Sequence, residues 1–555
     1  NPKWLNDDYV KFLRFAQWRI ERTGYGILAF ITNHGYLDNP TFRGMRRSLM
    51  QSFDDIYLLD LHGNSKKKEH APDGSADENV FDIQQGVAIG IFIKHRKREG
   101  QDSTVHHADL WGPREAKYGW LSAYEVTTTS WTTLAPQTPS YLFIPQDKGM
   151  AEEYEHGWKL TDMMAVNSVG LYTARDDLVI QWTGTDVEVV LKDFASLEVE
   201  AARGKYNLGP DSRDWQVALA QKDVRAFDQS KIQPISYRPF DTRFTYYTGN
   251  SRGIACMPRP EVMRHMLHEG NLAICFIRRS REQITSNFLA ANHIVDKTIL
   301  SAADNANVAP LYLYPSETRH NLWEEELPTI ASGGRSPNLA PAFVEDCSAR
   351  LGLTWVSDGK GDRQQTFGPE DVFAYLYAIF HSPTYRERYA EFLKTDFPRL
   401  PLTSDVSLFH NLCTLGDELV RLHLLEQQIA PITRYPVPGN NQIETVRYVE
   451  PAHDAEHGRV WVNATQYVEG VAPEVWAFQI GGYQVCQKWL KDRKGHTLSY
   501  DDLTHYQQII AALARTIDLM EQIDATIEEH GGWPLVGSSR EAVPVSAPVL
   551  ADEEE

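Results

Sequence analysis

The feature that most constrains the fold is an uninterrupted apolar run that ends in a small polar cluster. Residues 26–31 read Gly-Ile-Leu-Ala-Phe-Ile, and Thr32, Asn33, His34 and Gly35 follow. Such a run is typical of a buried parallel strand that delivers a loop to the carboxyl edge of a sheet. Ligands bind at that edge in open α/β sheets. The pattern predicts an α/β fold with a candidate site after this strand.

The neighbouring segments predict alternating helices and strands. Apolar residues at helical spacing predict helices over residues 7–22 and 41–52. Apolar runs predict strands over residues 27–32, 55–61 and 86–94. Because no helical pattern separates the last two strands, we expect them to form an antiparallel pair.

The rest of the chain divides by composition and periodicity. The polar stretch 96–117 predicts a linker or surface loop, and residues 179–183 and 187–192 predict short strands. Strand-like runs predominate over residues 231–320. Helices are predicted over residues 368–381, 385–394, 407–425 and 499–530, and disorder over the proline-rich, acidic tail 531–555. The predicted domains and segments of the chain are therefore residues 1–95, 96–230, 231–425, 426–530 and 531–555.

Several short motifs, taken in order, resemble one family of DNA-modifying enzymes. Residues 29–38, 60–64 and 79–87 resemble the downstream half of an N6-adenine DNA methyltransferase of the class I fold. The resemblance is to large single-chain restriction-modification enzymes, Type ISP and related Type IIG. It continues through residues 173–176, 211–215, 237–241, 310–315 and 381–386, and more weakly beyond residue 425.

The resemblance implies an α/β part, the end of a class I methyltransferase sheet over residues 1–95, whose last strands form an antiparallel pair in this family. A mixed connection, a mixed α+β target-recognition region over 231–425 and a helical C-terminal part over 426–530 would follow. The implied cofactor is S-adenosyl-L-methionine. The implied partners are double-stranded DNA, the upstream methyltransferase half, and attached nuclease or translocase modules.

Two motifs that the family needs are missing from this sequence. There is no Phe-x-Gly-x-Gly turn for S-adenosylmethionine and no Asn-Pro-Pro-Tyr loop for the flipped adenine. We therefore expect both upstream of these 555 residues, and we expect the fragment alone to be inactive.

The charge distribution bounds how this chain could bind nucleic acid. The formal net charge is −20, which argues against a general nucleic-acid coat because non-specific affinity comes from phosphate neutralisation. A DNA enzyme needs only a local basic surface. Residues 231–281 supply one, with nine basic and three acidic residues, a net charge of +6.

Arginine, glutamine and asparagine side chains near this segment are the candidates for DNA contact, because arginine binds phosphates or guanine, and the amides pair with adenine. They are Arg243, Arg252, Arg278, Arg279, Arg281, Gln283 and Asn287. Arg238 is instead expected to form a structural pair with Asp241.

Further candidates lie in the first 95 residues. Methylation of a base requires the base to be flipped out of the duplex. Asn33 and His34 are candidates to support the catalytic loop, and the alternative is a simple turn. Lys66 and Lys67 could grip phosphates or be a solvated charge run. By resemblance, Phe81 could stack on the flipped base, and the alternative is core packing.

The cysteine spacing and the length of the apolar runs bear on the compartment of the protein, on metal binding and on membrane insertion. The five cysteines are scattered without a Cys-x-x-Cys pair, which favours reduced core residues in a cytoplasmic protein and predicts no metal site. No apolar run approaches the roughly 20 residues of a membrane span.

The resemblance favours a methyltransferase portion that acts in bacterial restriction-modification or phage defence. Two other functions compete with it. One is a non-catalytic DNA-specificity subunit, which the α/β segment disfavours. The other is an unrelated α/β hydrolase or transferase that acts on small molecules, because residues 249–253 match Gly-x-Ser-x-Gly. A nucleophile elbow leads directly into a helix, whereas prolines at 258 and 260 follow here, so a turn is favoured.

Overall fold

The computed structural model describes residues 3–65, 69, 71–96, 103–138, 140–145, 148–278, 285–315, 334–451 and 457–535. The chain divides into two compact units, residues 1–152 (unit 1) and 153–555 (unit 2). Each has its own hydrophobic core.

Helices and strands alternate along the first part of unit 1, and its strands form one mixed sheet. Its elements are α1 (Asp8–Thr23), β1 (Gly26–Asn33), α2 (Arg43–Ser52), β2 (Asp55–Asp60), β3 (Val87–Lys94), β4 (Thr104–Asp109), α3 (Arg114–Ala123) and β5 (Thr132–Leu134). Helix α4 (Lys148–Glu155) spans the boundary between the units.

The sheet of unit 1 has the strand order β1-β3-β2-β4-β5. Strand β3 is antiparallel to both β1 and β2, whereas β2 and β4 are parallel. The predicted antiparallel pairing of residues 55–61 with 86–94 is thereby confirmed.

Strand β1 differs from its prediction as a buried parallel strand. Within the described residues it pairs with β3 alone, in antiparallel register. Its side chains alternate in exposure, and Ile27 and Ile31 point outwards. The sequence misled because every residue of the run is apolar, although only one face of the strand is covered.

The predicted linker over residues 96–117 is also wrong where the structure describes it. Residues Thr104–Asp109 form β4, which pairs with β2 from Asp55↔Thr104 to Asp60↔Asp109, and α3 begins at Arg114. The stretch reads as polar because β4 carries histidines. Val105 and His107 nevertheless alternate inwards and are fully buried.

The first half of unit 2 contains short strands and helices. They are β6 (Trp158–Lys159), α5 (Leu160–Met163), β7 (Ser168–Val169), α6 (Asp176–Val179), β8 (Ile180–Gln181), α7 (Gly184–Ser196), α8 (Val199–Lys205), α9 (Val217–Val224), β9 (Ile232–Arg238), β10 (Asp241–Tyr246), α10 (Pro260–Met263), β11 (Ala273–Ile277), β12 (Phe288–Ala291), β13 (Ile294–Val295), β14 (Ala306–Pro310) and β15 (Tyr312–Leu313).

The second half is richer in long helices. Its elements are β16 (Ser336–Pro337), α11 (Pro341–Leu351), β17 (Thr354–Trp355), β18 (Thr366–Phe367), α12 (Pro369–His381), α13 (Pro383–Arg388), α14 (Ala390–Thr395), β19 (Arg399–Leu400), α15 (Val406–His423), β20 (Arg447–Val449), β21 (Gly458–Trp461), β22 (Tyr467–Val471), α16 (Pro473–Ala477), β23 (Gln479–Ile480), β24 (Tyr483–Gln484), α17 (Val485–Lys491) and α18 (Tyr500–Glu529).

Two four-stranded sheets organise the first half of unit 2. Their strand orders are β13-β9-β10-β8 and β12-β11-β14-β7. The strand-rich prediction for residues 231–320 is confirmed where the structure describes them, and strands β7 and β8, which precede residue 230 in the chain, join the same sheets.

Two secondary-structure predictions in unit 2 are wrong. Residues 187–192 lie in helix α7, because Thr183 caps its first turn and Val187, Leu191 and Phe194 recur at helical spacing. The region 426–530 is not purely helical, because β20, β21 and β22 form an antiparallel sheet within it.

Three helices form the centre of the second half. Helix α12 is buried on nearly all sides and packs against α15 and α18. Helix α18 begins with a capping box in which Ser499 and Asp502 satisfy each other's backbone N–H groups, as its sequence predicts. All five cysteines are buried, which confirms their prediction as core residues.

The start of the predicted disordered tail is ordered. Trp533 donates a hydrogen bond from Nε1 to Thr384 Oγ1 over 2.8 Å, and Leu535 is buried. The composition of residues 531–555 concealed these two apolar anchors, and residues 536–555 lie outside the described residues. None of the described helices combines the length and apolarity that a membrane crossing requires.

A buried histidine in the helical core gives a pH-dependent stability. His423 Nδ1 accepts a hydrogen bond from the Tyr377 hydroxyl, and Nε2 lies 3.0 Å from Thr516 Oγ1, which itself donates to the Ala512 carbonyl. This arrangement holds a neutral ring. Burial, reinforced by the charge of Arg386, lowers the pKa of His423 to about 3.

Because folded His423 binds its proton more weakly than the unfolded chain does, stability falls as the pH drops below the ordinary histidine value of about 6.5. We expect the wild type to lose about 1.4 kcal/mol per pH unit more than His423→Gln between about pH 6.5 and 4.5. Urea denaturation across this range measures the difference. The variant His410→Gln, at an exposed site on the same helix, should keep the wild-type slope, and parallel curves for wild type and His423→Gln would contradict the account.

Candidate functional site

Five titratable side chains meet at the carboxyl ends of β2 and β4 in unit 1. We call His34, Asp60, His62, His107 and Asp109 the sheet-edge cluster. The parallel register places Asp60 directly beside Asp109, and His107 lies two residues before Asp109 on the same face of the strand. His34 follows β1 and His62 follows β2, so strand ends bring all five together.

His34 and Asp60 form the buried part of the cluster. His34 Nδ1 lies 3.0 Å from Oδ1 and 3.2 Å from Oδ2 of Asp60, so the imidazole donates to the carboxylate. A Cβ atom at Gly86 would stand 2.4 Å from Cε1 of His34. Only glycine at the entry to β3 leaves room for this ring.

His62 links the two carboxylates of the cluster. Its backbone N–H donates to Asp60 Oδ1 over 2.9 Å, and its Nε2 lies 2.8 Å from Asp109 Oδ1. The ring stacks on Trp111 with a centroid separation of 3.3 Å. Burial alone would raise the pKa of Asp60, but the His34 hydrogen bond and the charges of both histidines hold it below its usual value.

His107 is the unsatisfied member of the cluster. It is 1% exposed, and neither ring nitrogen has a hydrogen-bond partner among the residues that the structure describes. Its Nδ1 lies 3.6 Å from Asp109 Oδ2. Burial lowers the pKa of His107, against the opposing pull of Asp109 and Asp60, so the ring is neutral with an available lone pair.

The loop before β3 presents an aromatic ring at the surface. Asn79 Oδ1 accepts from the Phe81 backbone N–H, and Arg114 Nη2 donates to the Phe81 carbonyl over 3.0 Å. The backbone is thus fixed at both groups while the ring is 44% exposed. Core packing, the alternative for Phe81, is therefore wrong.

The predicted residues after β1 behave in two ways. Asn33 Oδ1 accepts from the Gly35 N–H over 2.8 Å and starts a 3-10 turn, as the turn alternative predicts, and its amide donates to Gln85 Oε1. His34 is buried against Asp60 as described above. Lys66 and Lys67 lie outside the described residues.

In unit 2, two arginines of the basic segment are bound internally. Arg243 donates to Asp241 over 2.9 Å and lies over the rings of Trp182 and Tyr237. Asp241 also accepts from Arg493 Nη2 over 2.7 Å. The placement of Arg243 does not favour a DNA contact. Arg238 is structural as predicted, but its partner is Asp296 at 2.8 Å rather than Asp241.

The other residues predicted to contact DNA differ in their exposure to solvent. Arg252 and Arg278 are exposed, and Arg278 lies 4.9 Å above the Phe397 ring. Asn287 is 4% exposed, and this burial does not favour the predicted contact with DNA. Arg279, Arg281 and Gln283 lie outside the described residues.

The Gly-x-Ser-x-Gly sequence does not form a nucleophile elbow. Ser251 lies in a series of turns, and the next helix, α10, begins only at Pro260. A nucleophile elbow passes directly from strand to helix. The hydrolase alternative therefore loses its supporting motif.

Sequence reasoning missed most of the sheet-edge cluster. His107 and Asp109 lay in the supposed linker, and 47 positions separate His62 from Asp109. The one available signal was the alternation of residues 104–109, in which Val105, His107 and Asp109 share a face.

The solved structures that are similar to this chain include three complexes with DNA or a DNA mimic. A nuclease-deletion mutant of the Type ISP restriction-modification enzyme LlaGI, in complex with a DNA substrate mimic, is 18% identical with a TM-score of 0.60. It aligns with 93% of this chain and 40% of its own. The DrdV–DNA complex is 19% identical, with a TM-score of 0.64 and coverages of 94% and 52%.

The ATP-dependent Type ISP restriction-modification enzyme LlaBIII bound to DNA is 19% identical, with a TM-score of 0.65 and coverages of 94% and 35%. This chain therefore spans between about a third and about half of the length of these structures. At such identities the likeness establishes the fold alone. No curated protein matches.

A family model described as the Type ISP C-terminal specificity domain matches residues 162–522, which is more than half of the chain and most of unit 2. This chain therefore belongs to the Type ISP C-terminal specificity domain family.

Proposed function

We propose that this chain recognises a specific sequence in double-stranded DNA as part of a longer restriction-modification enzyme. The observation that carries the proposal is the match of residues 162–522 to a Type ISP specificity domain. The fold it shares with LlaGI, DrdV and LlaBIII, each solved with DNA, supports it. The target-recognition role falls to unit 2.

Arg252 and Arg278 are the proposed phosphate contacts in unit 2, because both are exposed in the net-positive segment 231–281. The slope of log K against log salt is negative, and each phosphate contact makes it steeper by about 0.9. We expect the double variant Arg252→Ala/Arg278→Ala to bind duplex DNA more weakly, with a slope shallower by about 1.8.

Fluorescence anisotropy over a salt series measures this slope. The control is Lys192→Ala, which removes an exposed cation that pairs with Glu188 on α7. It should keep the wild-type slope. An unchanged slope in the arginine double variant would remove these residues from the interface.

We propose further that the longer enzyme methylates adenine at N6 with S-adenosyl-L-methionine, and that unit 1 is the end of its methyltransferase sheet. The antiparallel β2–β3 pair supports this assignment, as the resemblance requires. Phe81, exposed and fixed at both backbone groups, is the proposed stacking partner of the flipped base. Asn33 and His34 are proposed to support the catalytic loop rather than to react.

An exposed apolar face on unit 1 supports a missing methyltransferase half. Ile27, Ala29 and Ile31 lie on one face of the edge strand β1, and this face is exposed, with 67% of Ile27 and 39% of Ile31 accessible. Contiguous exposed apolar side chains mark interaction surfaces. We propose that the upstream half covers this face, and a purely non-catalytic specificity subunit would have no use for it.

The cofactor site is proposed to lie mainly outside these 555 residues, because the glycine-rich turn is missing from the sequence. We expect isothermal titration of this chain with S-adenosylmethionine to detect weak binding or none. Tight binding would show that the cofactor site lies within this chain, and would leave the proposal for DNA recognition untouched.

A further inference from the structure

The sheet-edge cluster has the ligands of a metal site. One oxygen of Asp60, one ring nitrogen of His107 and one oxygen of Asp109 all lie within 4.8 Å of one another. The two strands place these side chains on one face at one edge, because Asp60 and Asp109 are register partners and His107 precedes Asp109 by two residues. Backbone register, rather than a flexible loop, sets their spacing.

The buried imidazole is the independent sign of a ligand. His107 is almost fully buried, and among the described residues neither of its nitrogens has a hydrogen-bond partner. An unsatisfied buried polar group costs about 1–3 kcal/mol. The Nδ1 atom of His107 lies 3.6 Å from Asp109 Oδ2. This matches the separation of about 3.4 Å between two ligands of a tetrahedral ion with bonds of about 2.1 Å.

The other histidines orient the carboxylates. His34 donates to Asp60, and His62 Nε2 lies 2.8 Å from Asp109 Oδ1, which leaves Oδ2 of Asp109 directed towards His107. Outer hydrogen bonds of this kind fix metal-binding carboxylates in place. Two adjacent carboxylates and an imidazole nitrogen without a hydrogen-bond partner are ligand types that bind a divalent cation.

We propose that Asp60, His107 and Asp109 bind a divalent transition-metal ion at the edge of the unit 1 sheet. A nitrogen ligand beside two carboxylates suits Zn²⁺ or Mn²⁺, whereas Mg²⁺ and Ca²⁺ prefer oxygen ligands throughout. Asp109 has a side chain that is 40% exposed, so an ion can enter from solvent and keep water as a further ligand. The ion would join the ends of β2 and β4.

The test is isothermal titration of the chelator-treated chain with Zn²⁺ and with Mn²⁺. We expect Asp109→Asn and His107→Gln each to weaken the affinity at least tenfold, which is about 1.4 kcal/mol. Asp109→Asn keeps the side-chain shape at a partly exposed position. It therefore tests the proposal even if His107→Gln does not fold.

Two substitutions of residues near the proposed site serve as controls. His106→Gln changes a histidine that stacks on Tyr57 on the opposite face of β4, and it should keep the wild-type affinity. Glu69→Gln tests the neighbouring set His34, His62 and Glu69, and it should also keep the affinity. Absence of binding, equal affinity in the wild type and Asp109→Asn, or a loss in either control would overturn the proposal and leave the cluster as a hydrogen-bonded network alone.

Discussion

Lys117→Met should destabilise unit 1 by about 3–5 kcal/mol, because it leaves a buried carboxylate without its counter-charge. Lys117 Nζ lies 2.7 Å from Asp77 Oδ1, and both side chains are fully buried. The ammonium also donates to the carbonyls of Leu61 and Glu78, over 2.8 and 2.6 Å. All three of its protons are therefore used.

Asp77 in turn holds the loop that follows β2. Its Oδ2 accepts from the Gly63 N–H over 2.6 Å, and its Oδ1 accepts from the Gly112 N–H over 2.8 Å. Gly63 has a φ of 82°, and a Cβ atom there would stand 2.4 Å from the Asn79 Cα. Loss of the ion pair is thus expected to loosen the support of His62 and of the Phe81 loop as well.

Urea denaturation of the full chain, followed by hydrogen exchange in peptides from β2 and β3, measures this loss in unit 1. The matched control is Lys11→Met, which breaks an exposed pair with Asp8 and should change stability by less than about 1 kcal/mol. The double variant Lys117→Met/Asp77→Asn should recover part of the loss, because the unpaired charge is gone. A change of under about 1 kcal/mol in Lys117→Met would contradict the role of this ion pair.

Gly416→Ala should destabilise unit 2 by about 3 kcal/mol, because helices α12 and α15 cross at this residue without space for a side chain. A Cβ atom at Gly416 would stand 1.9 Å from the Ala374 carbonyl oxygen and 2.7 Å from its carbon. Both are backbone atoms of a buried helix, so only a displacement of α12 or α15 could relieve the clash. The better helix propensity of alanine, about 1 kcal/mol, offsets a small part of this cost.

Gly204→Ala is the control for this helix crossing. Gly204 lies in helix α8 of the same unit, and an added Cβ atom would meet no atom within 4 Å. We expect a gain of about 0.5–1 kcal/mol there. If the midpoint of urea denaturation rose for both variants, the close packing of α12 on α15 would be refuted.

The helices and strands that the sequence predicted correctly are determined by residues that lie close together in the sequence. The helix Tyr500–Glu529 begins where Ser499 and Asp502 form a capping box, and its apolar stripe is evident in the sequence. The antiparallel β2–β3 pair followed from the lack of a helical pattern between the two strands. Short-range patterns suffice for such elements.

The failures have long-range causes. Helix α7 was mistaken for a strand because Val187, Val189 and Val190 are β-branched, and its packing against the core overrides that propensity. Strand β4 was mistaken for a linker because its inward histidine, His107, is polar and becomes buried only in the folded sheet. The contact of Arg243 with the Trp182 ring, and the pairing of its partner Asp241 with Arg493, likewise depend on the tertiary fold.

Selection of DNA from a pool of duplexes with randomised sequence tests the central claim most directly. The full 555-residue chain is incubated with the pool at near-physiological salt, and the retained duplexes are sequenced over successive rounds. The account predicts enrichment of one defined sequence, with weaker retention by Arg252→Ala/Arg278→Ala. Retained DNA with the base composition of the input pool, or no retained DNA, would contradict recognition of a specific sequence by this chain.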